Sequence, residues 1–394
     1  MLQRSFITQS YVFFALFSLL LFALSGCASK ETGGGASENG EIVIGVEAPL
    51  TGDLAAEGQG FKKATSLVAE EINAQGGVFG GKKIKLIFED DKGAPNEAPL
   101  AAQKLVSQGV VAVIGSYNST ATEAAQQVYN DAGILHITPS STAVHLTEKG
   151  YPKFFRMCFI DSAQGAFAAK VMLTDLNAQH IAIIHDNSTY AKGLADWTKV
   201  SVEEGGGKVV FFDAINPNES DYSALLTKLK GEEPEAIFFS GYFSQAGLLV
   251  KQARDLDIQA PIIGGNATNN EEVIKTAGNK AEGFITITEP QPEDLPYDEA
   301  KAFLAAYKEK YKEDPVSVWT VMSADALRVI AEAIDKTESV DSTKLAAYLH
   351  NELKDFRGIT GPVTYDQHGD RTGTVYAAYR VENGKFTLFV PPSY

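Results

Sequence analysis

The chain has 394 residues, 50 of them acidic against 34 basic, for a formal net charge of −16. Such acidity favours solubility and argues against nucleic acid or direct docking on anionic lipid, both of which reward clustered Lys and Arg. With only two cysteines the fold must stand without a disulfide framework, as its size allows.

Arg4 precedes an almost wholly apolar run from Tyr11 to Leu24, interrupted only by Ser18. As a helix this run reaches roughly 21 Å at about 1.5 Å per residue, short of the roughly 30 Å hydrocarbon core. Residues 1–26 therefore read as a signal peptide rather than a membrane span. Leu24-Ser25-Gly26-Cys27 resembles the bacterial lipobox, in which the cysteine thiol takes a diacylglycerol and becomes the first mature residue. This predicts a lipid anchor on Cys27 and a place in the cell envelope, on the periplasmic or extracytoplasmic face. Residues 27–40 are polar and glycine-rich after the cysteine, which suits a flexible tether.

Strand-like and helix-like segments then alternate. Ile42 to Val46 leads to a helix with Phe61, Ala64, Val68 and Ile72 on one face, and Ile84 to Phe88 leads to one around Leu100 to Leu105. Val110 to Ile114 precedes a helix opening at Thr120-Ala121-Thr122-Glu123, a capping-box pattern. Gly76-Gly77-Val78-Phe79-Gly80-Gly81 follows a helix, so it reads as a C-cap and turn rather than a dinucleotide site. Cys158, within Phe154 to Ile160, reads as a buried structural thiol. Ile181 to Ile184, Val209 to Phe212, Ala236 to Phe239 and Ile262-Ile263 continue the alternation. Val363, Val375 to Tyr379 and Phe386 to Phe389 read as short strands closing the second half. Alternation of this kind implies parallel-rich sheets flanked by helices, and so many strands fit two α/β lobes better than one sheet. Ligands in such folds bind at the carboxyl ends of strands.

Enzymatic constellations are absent. The six histidines never take metal-ligand spacing, and no H-E-x-x-H, G-x-S-x-G or Walker-type loop occurs. His185-Asp186 has no serine or cysteine beside it in any recognisable motif. The chain is read as non-enzymatic, without metal or cofactor.

An ordered set of segments resembles the leucine/isoleucine/valine-binding protein family of periplasmic receptors. The set includes Pro49-Leu50-Thr51-Gly52, Glu71 to Gly77, Val113-Ile114-Gly115-Ser116, Gly133 to Thr142, Phe155-Arg156, Asp161 to Gly165, Ile181 to Asp186 and Asp221 to Leu226. The resemblance implies two Rossmann-like lobes joined by three crossovers, the type I periplasmic binding protein fold. Lobe one would hold 42–160 plus 290–366, and lobe two 161–289 plus 367–394. It also implies a small amino acid as ligand, ABC permease subunits as partners, and a monomer.

The family's ligand carboxylate would fall to Ser119 and Thr142, helped by backbone groups of Ser119 and Ser140, with Tyr117 and Asn118 adjoining. Ser119 between a strand end and a helix start suits an anion on physical grounds, and equally suits a helix cap. Tyr190 and Tyr242 match the second lobe's aromatic contributions. Three positions depart from the branched-chain pattern. Asn266 stands where the family has its ammonium-binding acid, Glu57 where an aromatic or small residue is usual, and Ser317 or Val318 where an aromatic wall is expected. Glu57 either faces solvent, supplies the missing countercharge, or reads a polar or cationic ligand side chain. The resemblance thus leaves open a receptor for such an amino acid, an amide or an aromatic acid, and a sensory module without transport.

Overall fold

The computed structural model describes residues 40–392; the apolar run, Cys27 and nearly all of the tether lie outside the described residues. The first half builds β1 (Ile42–Ala48), α1 (Ala55–Ala74), β2 (Ile84–Asp90), α2 (Ala98–Ser107), β3 (Ala112–Ile114), α3 (Ser119–Ala132), β4 (Leu135–Thr138), the single turn α4 (His145–Glu148) and β5 (Phe154–Arg156). All five strands pair in parallel, in the order β2-β1-β3-β4-β5. Every residue of β1 is buried, as expected of a strand covered on both faces.

The chain then enters α5 (Asp161–Lys170), which runs into a π turn over Val171–Asp175. A second series follows: β6 (His180–His185), α6 (Thr189–Glu204), β7 (Lys208–Ala214), α7 (Ser223–Gly231), β8 (Ala236–Ser240), α8 (Phe243–Asp255), β9 (Ile262–Gly264), α9 (Glu271–Ala277) and β10 (Ile285–Thr288). From β10 the chain returns to the first sheet through α10 (Asp298–Tyr311), α11 (Val318–Thr337) and α12 (Ser342–Asn351). Their attachment is visible in the hydrogen bonds Tyr311 Oη to the Lys63 carbonyl (2.8 Å) and Ser342 Oγ to the Val111 carbonyl (2.8 Å). A small hairpin of β11 (Phe356–Gly358) and β12 (Gly361–Val363) precedes the last passage. Finally β13 (Ala377–Glu382) and β14 (Lys385–Val390) add antiparallel to β10, completing the order β14-β13-β10-β9-β8-β6-β7.

The expected architecture is therefore present, with local corrections. Val363 belongs to the separate β11–β12 hairpin and not to the second sheet. α3 starts at Ser119, and its cap is Asn118, whose Oδ1 accepts from Ala121 N at 2.7 Å. Thr120 lies inside the helix, and Glu123 turns outward to His145 (3.1 Å), Lys149 (3.2 Å) and the Thr189 hydroxyl (3.1 Å) rather than closing a capping box. The glycine-rich turn after α1 does hold left-handed backbone at Gly76, Gly77, Gly80 and Gly81. Cys158 is fully buried.

Three passages connect the two sheets, after β5, after β10 and after β12. The first and third are fastened together. Arg156 N donates to the Gly369 carbonyl at 3.0 Å, and the fully buried Arg156 guanidinium pairs with Asp370 at 2.5 Å. From the third passage, Arg371 Nη1 donates to the Met157 carbonyl at 3.3 Å, and the Tyr365 hydroxyl meets Met157 Sδ at 2.9 Å.

Candidate ligand-binding cleft

The loops that leave the carboxyl ends of β3 and β4 form one wall of a narrow cavity. Tyr117, Asn118 and Ser119 come from the β3–α3 junction, Ser140 from the loop after β4, and Trp319 from the first turn of α11. Tyr190, Tyr242, Asn266 and Ala267 come from the second sheet's loops and close the cavity from the opposite side. A wider cleft, which shares Asn118 and Tyr242 with it, is bordered by Asp53, Lys92 and Thr120 on one side and Asp186, Ser188 and Gln245 on the other. No charged side chain lines the inner cavity.

The β3–α3 junction is held by a web of hydroxyls. Thr138 Oγ1 donates to the Ser116 carbonyl (2.9 Å), Thr122 and Ser141 hydroxyls meet at 2.7 Å, and Asn118 Nδ2 donates to the Gly93 carbonyl (2.9 Å). Because Asn118 caps the helix, Ser119 is released from that task. It is 1% exposed, and its hydroxyl accepts from Ala143 N at 3.3 Å. The first turn of α3, whose N–H groups lack intrahelical acceptors, thus reaches the cavity with the positive end of the helix dipole. Ser140 Oγ is committed to the Tyr117 carbonyl at 2.7 Å. Thr142 is buried beside the Asp161 carboxylate, and its hydroxyl closes no well-formed hydrogen bond. Neither Thr142 nor Glu57 is among the residues lining the cavity.

Three of the lining rings form an aromatic wall. Tyr117 stands 6.3 Å from Tyr242, and Tyr242 stands 5.4 Å from Tyr190, centre to centre. The Tyr190 hydroxyl donates to Asn266 Oδ1 at 2.9 Å, and Asn266 N donates to Gln164 Oε1 at 3.2 Å. Tyr242 and Tyr117 meet across the two halves, as do Thr189 N and Thr120 Oγ1 at 3.1 Å.

Glu57 does not face solvent. It is 1% exposed, with Oε2 accepting from the Ser317 hydroxyl at 2.7 Å and Oε1 from Asn270 Nδ2 at 3.4 Å. Burial pushes its carboxyl up to about 7 despite those two donors. Ser317 turns toward Glu57 and caps α11, so Trp319, which sequence reasoning missed, supplies the aromatic surface on this side. Two further buried carboxylates were not anticipated as site features. Asp161 and Glu289 are each pushed up to about 7 by burial, and none of their four oxygens closes a well-formed hydrogen bond.

Two α/β units facing a shared cavity with the carboxyl ends of their strands define a hinged receptor of the type I binding-protein class. The family model described as periplasmic binding protein matches residues 41–385. The Leu/Ile/Val-binding protein of Escherichia coli K12 is 35% identical over 343 residues, 86% of this chain and 90% of that one. The Leu/Ile/Val-binding protein BraC3 of Rhizobium johnstonii is 34% identical over 345 residues, 88% and 93% respectively. Among solved structures, the branched-chain amino acid transporter substrate-binding protein LivJ of Streptococcus pneumoniae, in complex with isoleucine, superposes with a TM-score of 0.81 at 34% identity, covering 90% of this chain and all of that one. The chain belongs to the periplasmic binding protein family, in its branched-chain amino acid ABC-transporter branch, a family of substrate receptors rather than enzymes. No helix among the described residues is long and apolar enough to cross a membrane.

Proposed function

We propose that this chain is the extracytoplasmic substrate-binding lipoprotein of an ABC importer, and that it captures one small amino acid, branched-chain or related, by closing two lobes over it. The observation that carries the reading is the cavity built jointly by Ser119, Ser140, Tyr117 and Trp319 from one half and Tyr190, Tyr242 and Asn266 from the other. A ligand that touches both walls only when they approach stabilises the closed form by its differential affinity. The carboxylate is assigned to the Ser119, Ser140 and Thr142 end, where the first turn of α3 favours an anion. Tyr190 and Tyr242 cover the ligand, and Asn118 holds the α3 turn in place. Glu57, held by Ser317 and Asn270 and felt electrostatically by Tyr117, is assigned to the ligand's side-chain end. Lobe one is taken as 42–160 plus 290–366 and lobe two as 161–289 plus 367–394. Relatives named for leucine, isoleucine and valine support the ligand class. The lipobox-like Leu24 to Cys27 supports the anchor and, through it, a permease partner in the same membrane.

Isothermal calorimetry of the ligand-free protein against the proteinogenic amino acids tests this. Saturable binding of at least one aliphatic member at one site per chain is expected. Heat from none of them, with the protein folded, would remove the amino-acid assignment.

A further inference from the structure

A zwitterionic ligand poses a problem that the cavity wall does not solve. Its carboxylate meets the α3 turn, yet no lining residue offers a negative charge to the ammonium. Asn266 can accept a hydrogen bond but brings no countercharge, and bonds to a charged partner are roughly twice as strong as neutral ones. The charge must stand behind the wall.

Behind Asn266 stands Glu289, the residue that follows β10 at the second passage between the sheets. It is 1% exposed. Asn266 Nδ2 and both Glu289 oxygens are buried without a well-formed hydrogen bond, and Asn266 is among the groups that favour the ionised Glu289 carboxyl. Arg371, whose charge favours the Glu289 carboxylate, forms no ion pair with it. Arg371 spends its guanidinium on the carbonyls of Met157 (3.3 Å), Thr360 (2.9 Å) and Pro362 (3.0 Å) and on the Thr360 hydroxyl (2.9 Å). A buried carboxylate without a hydrogen-bonded cation is strongly disfavoured, and an arriving cation relieves it.

We infer that Glu289 is the positioning residue for the ligand's ammonium: it draws the Asn266 amide N–H toward itself, aims Asn266 Oδ1 at the cavity, and supplies through that amide the negative charge that the lining lacks. Asn266 Oδ1, which accepts from the Tyr190 hydroxyl at 2.9 Å, then receives the ammonium as well. This rests on the cleft being an amino-acid site. It adds that the countercharge lies at the passage between the lobes, so that ligand charge and hinge are joined through one side-chain amide. Asp161 is the rival source. It lies beside Thr142, and its charge is felt by Tyr190 and by Tyr242.

The test compares each of L-leucine, L-isoleucine, L-valine and L-alanine with its deamino carboxylic acid, by calorimetry at pH 8, on wild type, Glu289→Gln, Asp161→Asn and the double variant Glu289→Gln/Asn266→Asp. Glu289→Gln is expected to weaken amino-acid binding at least tenfold while leaving the deamino acids within twofold, a split that general loosening of the cleft would not produce. The double variant, with the carboxylate moved into the wall, is expected to recover most of that loss. Unchanged amino-acid affinity in Glu289→Gln, equal losses for both ligand types, or a selective loss confined to Asp161→Asn would each overturn the inference while leaving the amino-acid site standing. Failure of all four amino acids to bind wild type would remove both.

Discussion

Glu57 offers a stability prediction whose sign runs against ordinary acid behaviour. In the folded chain its carboxyl stays protonated up to about 7, against 4.5 in a solvated chain. Below 4.5 both states hold the proton and burial costs nothing through this group. Between 4.5 and 7 the unfolded chain releases it and the folded chain does not, so stability falls as pH rises, and above 7 the loss is constant. The loss amounts to roughly 3 kcal/mol at pH 8 and only about 0.8 kcal/mol at pH 5. Glu57→Gln removes the burden but mismatches one of the two donors, Ser317 or Asn270, at about 1 kcal/mol. The net gain is about 2 kcal/mol at pH 8 and about zero at pH 5. With an unfolding entropy of about 2.1 cal/mol/K per residue over roughly 350 residues, the gain raises Tm by about 3 °C. Scanning calorimetry of ligand-free wild type and variant at the two pH values reads this directly. Equal Tm differences at both, or a loss at pH 8, would refute the reasoning and mean that the folded chain keeps Glu57 ionised.

Ser119→Ala and Thr142→Ala are each expected to weaken binding of an aliphatic amino acid about ten- to a hundredfold, since each removes a hydrogen bond to a charged group worth about 1.5–3 kcal/mol; unchanged calorimetric affinity in both would move the carboxylate elsewhere. Asp325, fully buried on α11, accepts from Ile359 N (2.6 Å), Thr360 N (2.8 Å) and Thr360 Oγ1 (2.7 Å). Asp325→Ala should therefore cost about 3–5 kcal/mol in urea unfolding by stranding those donors, and a cost below 1 kcal/mol would show that water replaces it. Cys27→Ser should abolish incorporation of labelled palmitate in a bacterial host, and absence of label in wild type would end the lipoprotein assignment.

The two-sheet architecture was legible because its central strands are continuous apolar runs between amphipathic helices, as at Ile42 to Val46 and Ala236 to Phe239. Among the strands that escaped, β4 and β11 with them, two have patterns broken by function or geometry. β5 ends on the buried Arg156, and β10 reads Ile-Thr-Ile-Thr with the two threonines fully buried. The pattern at Thr120 reads as a capping box, yet Asn118 takes the cap, because an extended Asn there accepts from the Ala121 N–H and donates to the Gly93 carbonyl at once. At the site, Ser119, Ser140, Tyr190, Tyr242 and Asn266 were named from sequence and border one cavity. Trp319 was not, since its meeting with that cavity depends on a chain return of roughly two hundred residues from Tyr117, which no local pattern encodes; Glu289, outside the lining, follows a strand whose alternating threonines hide it.

The fastening of the first passage to the third has a mechanical consequence. Arg156, Asp370, Arg371, Met157 and Tyr365 make two of the three connections into one doubled strap. A torsion accepted by one strand of that strap must be accepted by the other, so independent twisting is suppressed. What remains soft is bending across the strap and the neighbouring single passage at Glu289. Such a joint resembles a leaf spring more than a ball and socket: in the closure proposed above it would confine the two halves to one path and return the same pair of walls to register each time.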